Sequence, residues 1–233
     1  MTMPSRLNSF AISIPAYNEE KNIEEVVRNS VSVLSGITSD YEIIVVNDGS
    51  TDNTGSVLEK LASEIPALKI FTHEKNLGIA DTLKDVFLKP AKEWVFFIPG
   101  DGQIPPSEIH KLLPLASGYD YIIGKRAKRN DSFIRIMNAW IYNMVISVAA
   151  FKRVTDIDSV VLFKRSFLDN VKLFATSAFI HAELFIKARK NGARTVEATI
   201  EHLPRKFGKS TGSNPRVILK TAIDLICLPF RSH

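Results

Sequence analysis

The chain has 233 residues, 45% of them hydrophobic, a single cysteine and a net charge of +5. That length can bury one large core or two small ones, while a lone Cys227 excludes a disulfide framework and any zinc site built on cysteines, and points to a reducing, cytoplasmic compartment. The charge is uneven, with 9 Lys/Arg against 14 Asp/Glu in residues 1–100 and 21 against 11 in residues 101–233, so the second half is suited to phosphate groups or a lipid surface; nucleic acid is not an expected partner, because the basic residues are not interleaved with aromatics and no reading motif is present.

The first hundred residues alternate two patterns. Apolar runs of strand length occupy Phe10 to Pro15, Tyr41 to Val46, Leu68 to Thr72 and Trp94 to Ile98. Ile23, Val26, Val27, Val31 and Leu34 form a helical stripe between the first two runs, and Val57, Leu58, Leu61 and Ile65 form another after the second. The first run lacks a basic flank and is too short for a leader segment. Strands separated by helices imply an α/β fold with a mainly parallel central sheet flanked by helices, and place the ligand crevice at the carboxyl ends of the strands.

Three polar loops occupy that edge: Pro15-Ala16-Tyr17-Asn18-Glu19, Asn47 to Thr54 (NDGSTDNT), and Pro99-Gly100-Asp101-Gly102-Gln103. The second has turn-forming composition, with Ser50 or Thr51 placed to cap a helix starting near Asp52. Spaced glycines of the dinucleotide type and a P-loop lysine are both missing. A nucleotide held by side-chain carboxylates and a divalent metal fits these loops.

After Asp120-Tyr121-Ile122-Ile123 the pattern changes. Residues 136–151 (IMNAWIYNMVISVAAF) carry no charge and are bounded by Arg135 and by Lys152-Arg153. This stretch falls short of the roughly 20 residues that span a bilayer. It suits a buried core helix or a helix lying in the headgroup layer, and the basic residues Lys125, Arg126, Lys128 and Arg129 favour the second. Further elements are a strand and short helix after Asp156, a helix near Ser177 to Asn191 and a strand from Arg194 to His202. A basic Gly/Ser-rich loop follows, Leu203 to Pro215, and last an amphipathic helix with Val217, Ile218, Thr221, Ala222, Leu225 and Ile226 opposite Arg216, Lys220 and Asp224. With no repeat and no linker, one domain is expected over 1–233, with a first half over 1–100, an elaborated second half over 101–214 and a terminal helix over 215–233.

PAYNEE at 15–20, NDGSTDNT at 47–54, GDGQIPP at 100–106, GKR at 124–126 and PRKFGKS at 204–210 occur in the order found in family 2 glycosyltransferases. From Ile12 to Ser210 the chain resembles the polyprenyl-phosphate sugar transferases of the dolichol-phosphate mannose synthase type. The resemblance implies a GT-A fold, a nucleotide-diphosphate sugar donor, an inverting transfer and Mg2+ or Mn2+ as cofactor. It puts the nucleoside on Pro15, Ala16, Tyr17, Glu19 and Asp48, with Asn47 where the family has its first Asp. The metal motif, Asp-x-Asp-x-Gln in the family, keeps only Asp101 and Gln103. Arg205 and Lys206 would close over the diphosphate as part of a lid. Arg126 and Arg135 match positions that bind the phosphate of a polyprenyl acceptor. Asp156, followed by Ser159, matches an Asp that orients the acceptor or acts as a general base on an alcohol; Asp158 competes for the alignment. His181 is expected to be a structural neighbour of the site, and Glu183 a sugar or loop contact. The implied enzyme transfers a hexose at the cytoplasmic face of a membrane with peripheral contact. A saccharide or other alcohol as acceptor, and a degenerate binding protein without turnover, are the alternatives.

Overall fold

The computed structural model describes residues 9–127, 133–169, 171–207 and 224, leaving aside the side chains of 133–136 and 138. The chain alternates β1 (Phe10–Ala16), α1 (Ile23–Ser35), β2 (Tyr41–Asn47), α2 (Thr54–Glu64), β3 (Leu68–Thr72), α3 (Ile79–Leu88) and β4 (Trp94–Phe97). A short helical segment holding α4 (Ile109–Leu112) leads to β5 (Tyr121–Arg126), α5 (Phe133–Ala149), β6 (Val160–Lys164), α6 (Ile180–Lys190) and β7 (Thr195–Ile200). The third crossover helix, α3, has no counterpart among the stripes read from the sequence.

The seven strands lie in the order β3-β2-β1-β4-β6-β5-β7. β1 pairs in parallel with β2 and β4, β2 with β3, and β5 with β7. β6 runs antiparallel to both β4 and β5. The carboxyl ends of β1, β2, β4, β5 and β7 and the amino end of β6 therefore share one sheet edge.

Each face of the sheet carries its own core. Ile12, Ile14, Val45 and Phe96 face Val27, Leu34, Leu58 and Leu61 of α1 and α2. Ala11, Ile44, Val46 and Val95 face Leu83, Val86 and Phe87 of α3, with Ile146 of α5 and Phe185 of α6 in the same cluster. Burial on both faces explains why β1, β2 and β4 read as continuous apolar runs rather than alternating ones.

α5 is neither wholly buried nor free. Asn143 and Ile146 are buried, whereas Trp140 is 64% and Val148 71% exposed; just beyond the helix Ala150 is buried and Phe151 is 92% exposed. Among the described residues, no helix is long and apolar enough to cross a membrane.

One residue of the expected terminal helix is described, and it departs from expectation. Asp224, read as part of a polar outer face, is buried and accepts hydrogen bonds from the Thr176 amide and the Ser177 hydroxyl, both 2.8 Å. The turn ahead of α6 has main-chain and hydroxyl donors to satisfy, and this carboxylate supplies the acceptor. The other residues of 215–233 lie outside the described residues.

Candidate active site

NDGSTDNT binds its neighbours before it can bind anything else. Asn18 N–H donates to Ser50 Oγ (3.0 Å), Glu19 N–H to Thr54 Oγ1 (2.9 Å) and Glu20 N–H to Asp52 Oδ2 (3.2 Å). In return Thr51 N–H donates to Asn18 Oδ1 (2.8 Å) and Asn53 N–H to Glu20 Oε2 (3.0 Å). The hydroxyls and carboxylates at the tip of β2 thus weld the first loop to the second. Capping by Ser50 or Thr51 is not observed: Asp52 accepts from both the amide and the hydroxyl of Thr54 at the start of α2. Burial alone would raise the Asp52 pKa, but the hydrogen bonds from Thr54 and Glu20 prevail and hold it low.

Asp48 faces inward. Its Oδ1 accepts from His73 Nδ1 and Leu77 N–H, both 2.8 Å, and its Oδ2 from Gly78 N–H at 3.0 Å. A carboxylate has about four acceptor positions, so most of this one is engaged by the turn after β3. That turn also rests on Gly49, whose φ of +61° suits glycine and where a Cβ would fall 2.4 Å from the Lys75 carbonyl carbon. Of the other expected nucleoside residues, Ala16 accepts the Asp48 amide (2.9 Å), and Tyr17 stands exposed on the loop. Pro15 lies against the third loop, where a Cβ on Gly100 would come within 2.7 Å of its carbonyl oxygen.

The strand order reverses between β1 and β4, which is where an open α/β sheet forms its ligand crevice. Asp101 and Glu19 meet there around one cation. Arg205 lies 2.5 Å from Asp101 Oδ2 and 3.9 Å from Glu19 Oε1. Burial raises the Glu19 pKa; Asp101 adds to the rise, and Asn22 and Arg205 oppose it. Gln103 anchors the returning chain: Leu203 N–H donates to the Gln103 carbonyl (2.8 Å), and Gln103 Nε2 donates to the Leu203 carbonyl (3.2 Å). Lys206 pairs with both oxygens of Glu25 at 3.0 Å. The rest of the expected lid, from Gly208 on, lies outside the described residues. Among the described residues no group of three or more His, Cys, Asp or Glu forms a metal cluster.

On the other side of the crevice the sheet brings together residues thirty or more positions apart. Arg126 at the end of β5 grips buried Asp156 with Nε on Oδ2 (2.8 Å) and a terminal nitrogen on Oδ1 (2.5 Å), and its amide also donates to Oδ2 (3.0 Å). Glu197 of β7 accepts from the amides of Thr155 (2.7 Å) and Asp156 (3.2 Å) and from the Thr155 hydroxyl (2.9 Å). Buried Ser159 donates its hydroxyl to the Gly124 carbonyl at 2.5 Å. Gly124 has to be glycine for packing, since a Cβ would fall 2.6 Å from a Val160 methyl. Between the two aspartates the structure separates the environments: Asp156 is buried against Arg126, and Asp158 is exposed. Arg135 stands in α5, but its side chain and residues Lys128 and Arg129 lie outside the described residues. A groove lined by Trp140, Met144, Arg153 and Thr155 runs alongside α5 next to this pair.

His181 and Glu183 are structural. His181 packs edge-on against Phe87 and Phe97 at 5.3 and 5.0 Å between ring centres. Burial, aided by the Arg126 charge, pushes its pKa down to about 4. Glu183 accepts the amides of Phe174 and Ala175 and pairs with Lys187. Two residues that organise the site went unread in the sequence, Glu197 and His73. Neither stands in a motif, and each acts on a partner more than twenty positions away.

The glycosyl transferase family 2 model matches residues 11–180. An undecaprenyl-phosphate 4-deoxy-4-formamido-L-arabinose transferase of Yersinia enterocolitica is 30% identical over 223 residues, covering 94% of this chain and 67% of the relative. The transferase of the same description from Proteus mirabilis is 28% identical over 232 residues, covering 98% and 70%. In structure, the chain is similar to glucosyl-3-phosphoglycerate synthase from Mycobacterium tuberculosis, crystallised with Mn2+ and uridine diphosphate, with a TM-score of 0.72, 16% identity and coverage of 95% of this chain and 79% of that one. That likeness shows the fold, a GT-A arrangement. With the family model running through the loops after β1, β2, β4 and β5, the chain is a glycosyltransferase and belongs to glycosyl transferase family 2.

Proposed function

We propose that this glycosyltransferase moves a sugar from a nucleotide-diphosphate donor to a polyprenyl phosphate, working against the cytoplasmic face of a membrane. The observation that carries this reading is the pair of Arg126 with buried Asp156, next in sequence to Thr155 of an apolar groove that runs along α5. An alcohol acceptor needs a base to take its proton. Asp156, with both oxygens engaged by a guanidinium fork, is poorly placed to serve as one. A phosphate acceptor is already anionic and needs only to be gripped and aimed, which suits an Arg oriented by a fixed carboxylate. The relatives named for transfer to undecaprenyl phosphate point the same way.

The donor would lie across the first crevice, its nucleoside on Pro15, Ala16, Tyr17, Glu19 and the turn held by Asp48. Asp101, joined by Gln103 and the donor's phosphate oxygens, would hold Mg2+ or Mn2+. The donor set fits, because two carboxylates already converge on a cation there and magnesium commonly takes only one or two carboxylates besides substrate oxygens. When bound, the metal neutralises charge on the diphosphate. Arg205 and Lys206 add fixed positive charge beside the leaving oxygen as the bond to the anomeric carbon breaks. An oxygen of the acceptor phosphate forms the new bond on the opposite face, and the centre inverts. Ser159, buried behind Gly124, supports this wall, and Arg135 would complete the grip.

The test is transfer from UDP- and GDP-sugars to a short-chain polyprenyl phosphate and, separately, to simple sugar alcohols, with flotation on anionic liposomes alongside. Transfer to the phosphate with salt-sensitive flotation is expected. Transfer only to the alcohols, or binding of nucleotide without turnover of any donor, would overturn the reading.

A further inference from the structure

His73 belongs to no motif of the family likeness, yet it joins three elements at the donor edge. It follows β3, its amide donates to the Asn47 carbonyl at the end of β2 (3.0 Å), and its ring lies between Asp48 (Nδ1 to Oδ1, 2.8 Å) and Asp85 of α3 (Nε2 to Oδ2, 3.1 Å). A neutral imidazole has one N–H and one acceptor nitrogen. Two flanking carboxylates are both satisfied only by the doubly protonated ring. The charged groups around it are Asp48, Asp85 and Lys89, whose amine lies 3.9 Å from the other oxygen of Asp85.

What this ring holds in place is the turn 73–78. Asp48 takes the Leu77 amide on Oδ1, the oxygen that also meets the ring, and the Gly78 amide on Oδ2, and the turn's backbone is packed on Gly49. At the end of the turn Leu77 and Ile79 are exposed apolar side chains on either side of Gly78, where a Cβ would meet nothing within 4 Å. An apolar, open ledge beside the tip of β2 suits a flat heterocycle. We propose that His73 is a positioning residue for the donor's nucleoside: as an imidazolium it locks Asp48, Asp85 and the 73–78 turn into one unit, and loss of its proton loosens the ledge on which the base rests. This inference rests on the nucleotide-sugar reading given above. Burial works against the charged ring, but the hydrogen bonds and charges of Asp48 and Asp85 outweigh it, so His73 titrates above its ordinary value.

The experiment is calorimetric titration of the whole chain with UDP-glucose and with GDP-mannose at several pH values from 6 to 8.5, in the wild type, His73→Gln and Asp85→Asn. The ratio of variant to wild-type affinity cancels the titration of the ligand and of every other site. His73→Gln should bind about tenfold more weakly than wild type at pH 6 and converge on it at pH 8.5, and Asp85→Asn should move the wild-type inflection to lower pH, as removing a carboxylate beside an imidazolium requires. A ratio that stays constant with pH, or an inflection unmoved in Asp85→Asn, would overturn the proposal while leaving the donor reading intact. Absence of binding by the wild type at every pH would overturn both. Should His73→Gln fail to fold, the inflection in Asp85→Asn decides alone.

Discussion

The donor edge and the acceptor edge share one side of the sheet but are held by different forces. At the donor edge, loops from β1 and β2 exchange many separate hydrogen bonds, largely between main-chain amides and short polar side chains. At the acceptor edge, one ion pair, the half-buried guanidinium of Arg126 on the buried carboxylate of Asp156, fixes the wall, backed by Glu197. In a net of separate bonds, cutting one strand costs about 1 kcal/mol where the acceptor is a hydroxyl or amide oxygen and about 1.5 to 3 where it is a carboxylate. A buried ion pair behaves otherwise, since removing one partner strands the other charge in a medium that cannot solvate it. The first edge is built to be tolerant and preformed, the second to be specific and brittle.

The largest effect should follow from breaking that brittleness. Arg126→Ala is expected to cost about 2 to 5 kcal/mol in transfer to the phosphate acceptor, as for other desolvated charge pairs, with donor affinity nearly unchanged. Arg126→Lys should recover only part of the loss, because a point charge cannot reproduce the fork. Ser50→Ala, which cuts one strand of the donor net, should stay within about 1 kcal/mol. Steady-state transfer and donor titration on the three variants check this. Equal losses in Ser50→Ala and Arg126→Ala would erase the distinction between the edges.

The two histidines sharpen it. His73 sits among carboxylates with its pKa raised, and His181 lies between aromatic rings near Arg126 with its pKa at about 4. The native state therefore binds fewer protons at His181 than the unfolded chain does. Stability from this site is complete above the unfolded value near 6.5 and falls as pH drops towards 4, by about 3 kcal/mol in all. His73 acts in the opposite sense: its contribution is complete below 6.5 and is lost as pH rises through its raised folded value. Denaturant melts of the wild type and His181→Phe at pH 7, 5.5 and 4 test the larger effect. The phenylalanine variant should lose much less stability on acidification, and parallel curves would remove His181 as the cause.

The same contrast governs how much was legible in the sequence. Strands β1, β2 and β4 announce themselves because burial on both faces demands unbroken apolar runs, and three donor loops follow at their ends. α3 does not stand out in the sequence, although Ala80, Leu83, Val86 and Phe87 are spaced for a helix, because Asp81, Lys84 and Asp85 dilute a stripe only ten residues long. Asp156 and Arg126 were each recognisable from motifs, but their union was not, since it depends on β6 entering the sheet antiparallel between β4 and β5. The same holds for Glu197 with Thr155 and for His73 with Asp85. Local spacing encodes elements and turns; pairings made by topology appear only when the sheet is assembled.

The smallest effect on stability should come from α5, and it bears on the brittle edge most directly. Trp140 and Val148 are largely exposed and Met144 is half-exposed, all along one apolar face, while Arg153 supplies positive charge at the groove. In a protein working wholly in water such a patch is a liability rather than a support. Trp140→Ser with Val148→Ser should therefore change folding stability by only about 0.5 kcal/mol, as for surface positions without buried partners. Flotation on anionic liposomes should fall sharply in the double variant, and with it transfer to a polyprenyl phosphate presented in vesicles. Transfer to a detergent-dispersed short-chain acceptor, which reaches the Arg126–Asp156 pair without a bilayer, should be largely kept. If the double variant floats as the wild type does, α5 does not meet the membrane, and the acceptor must approach the pair by another route.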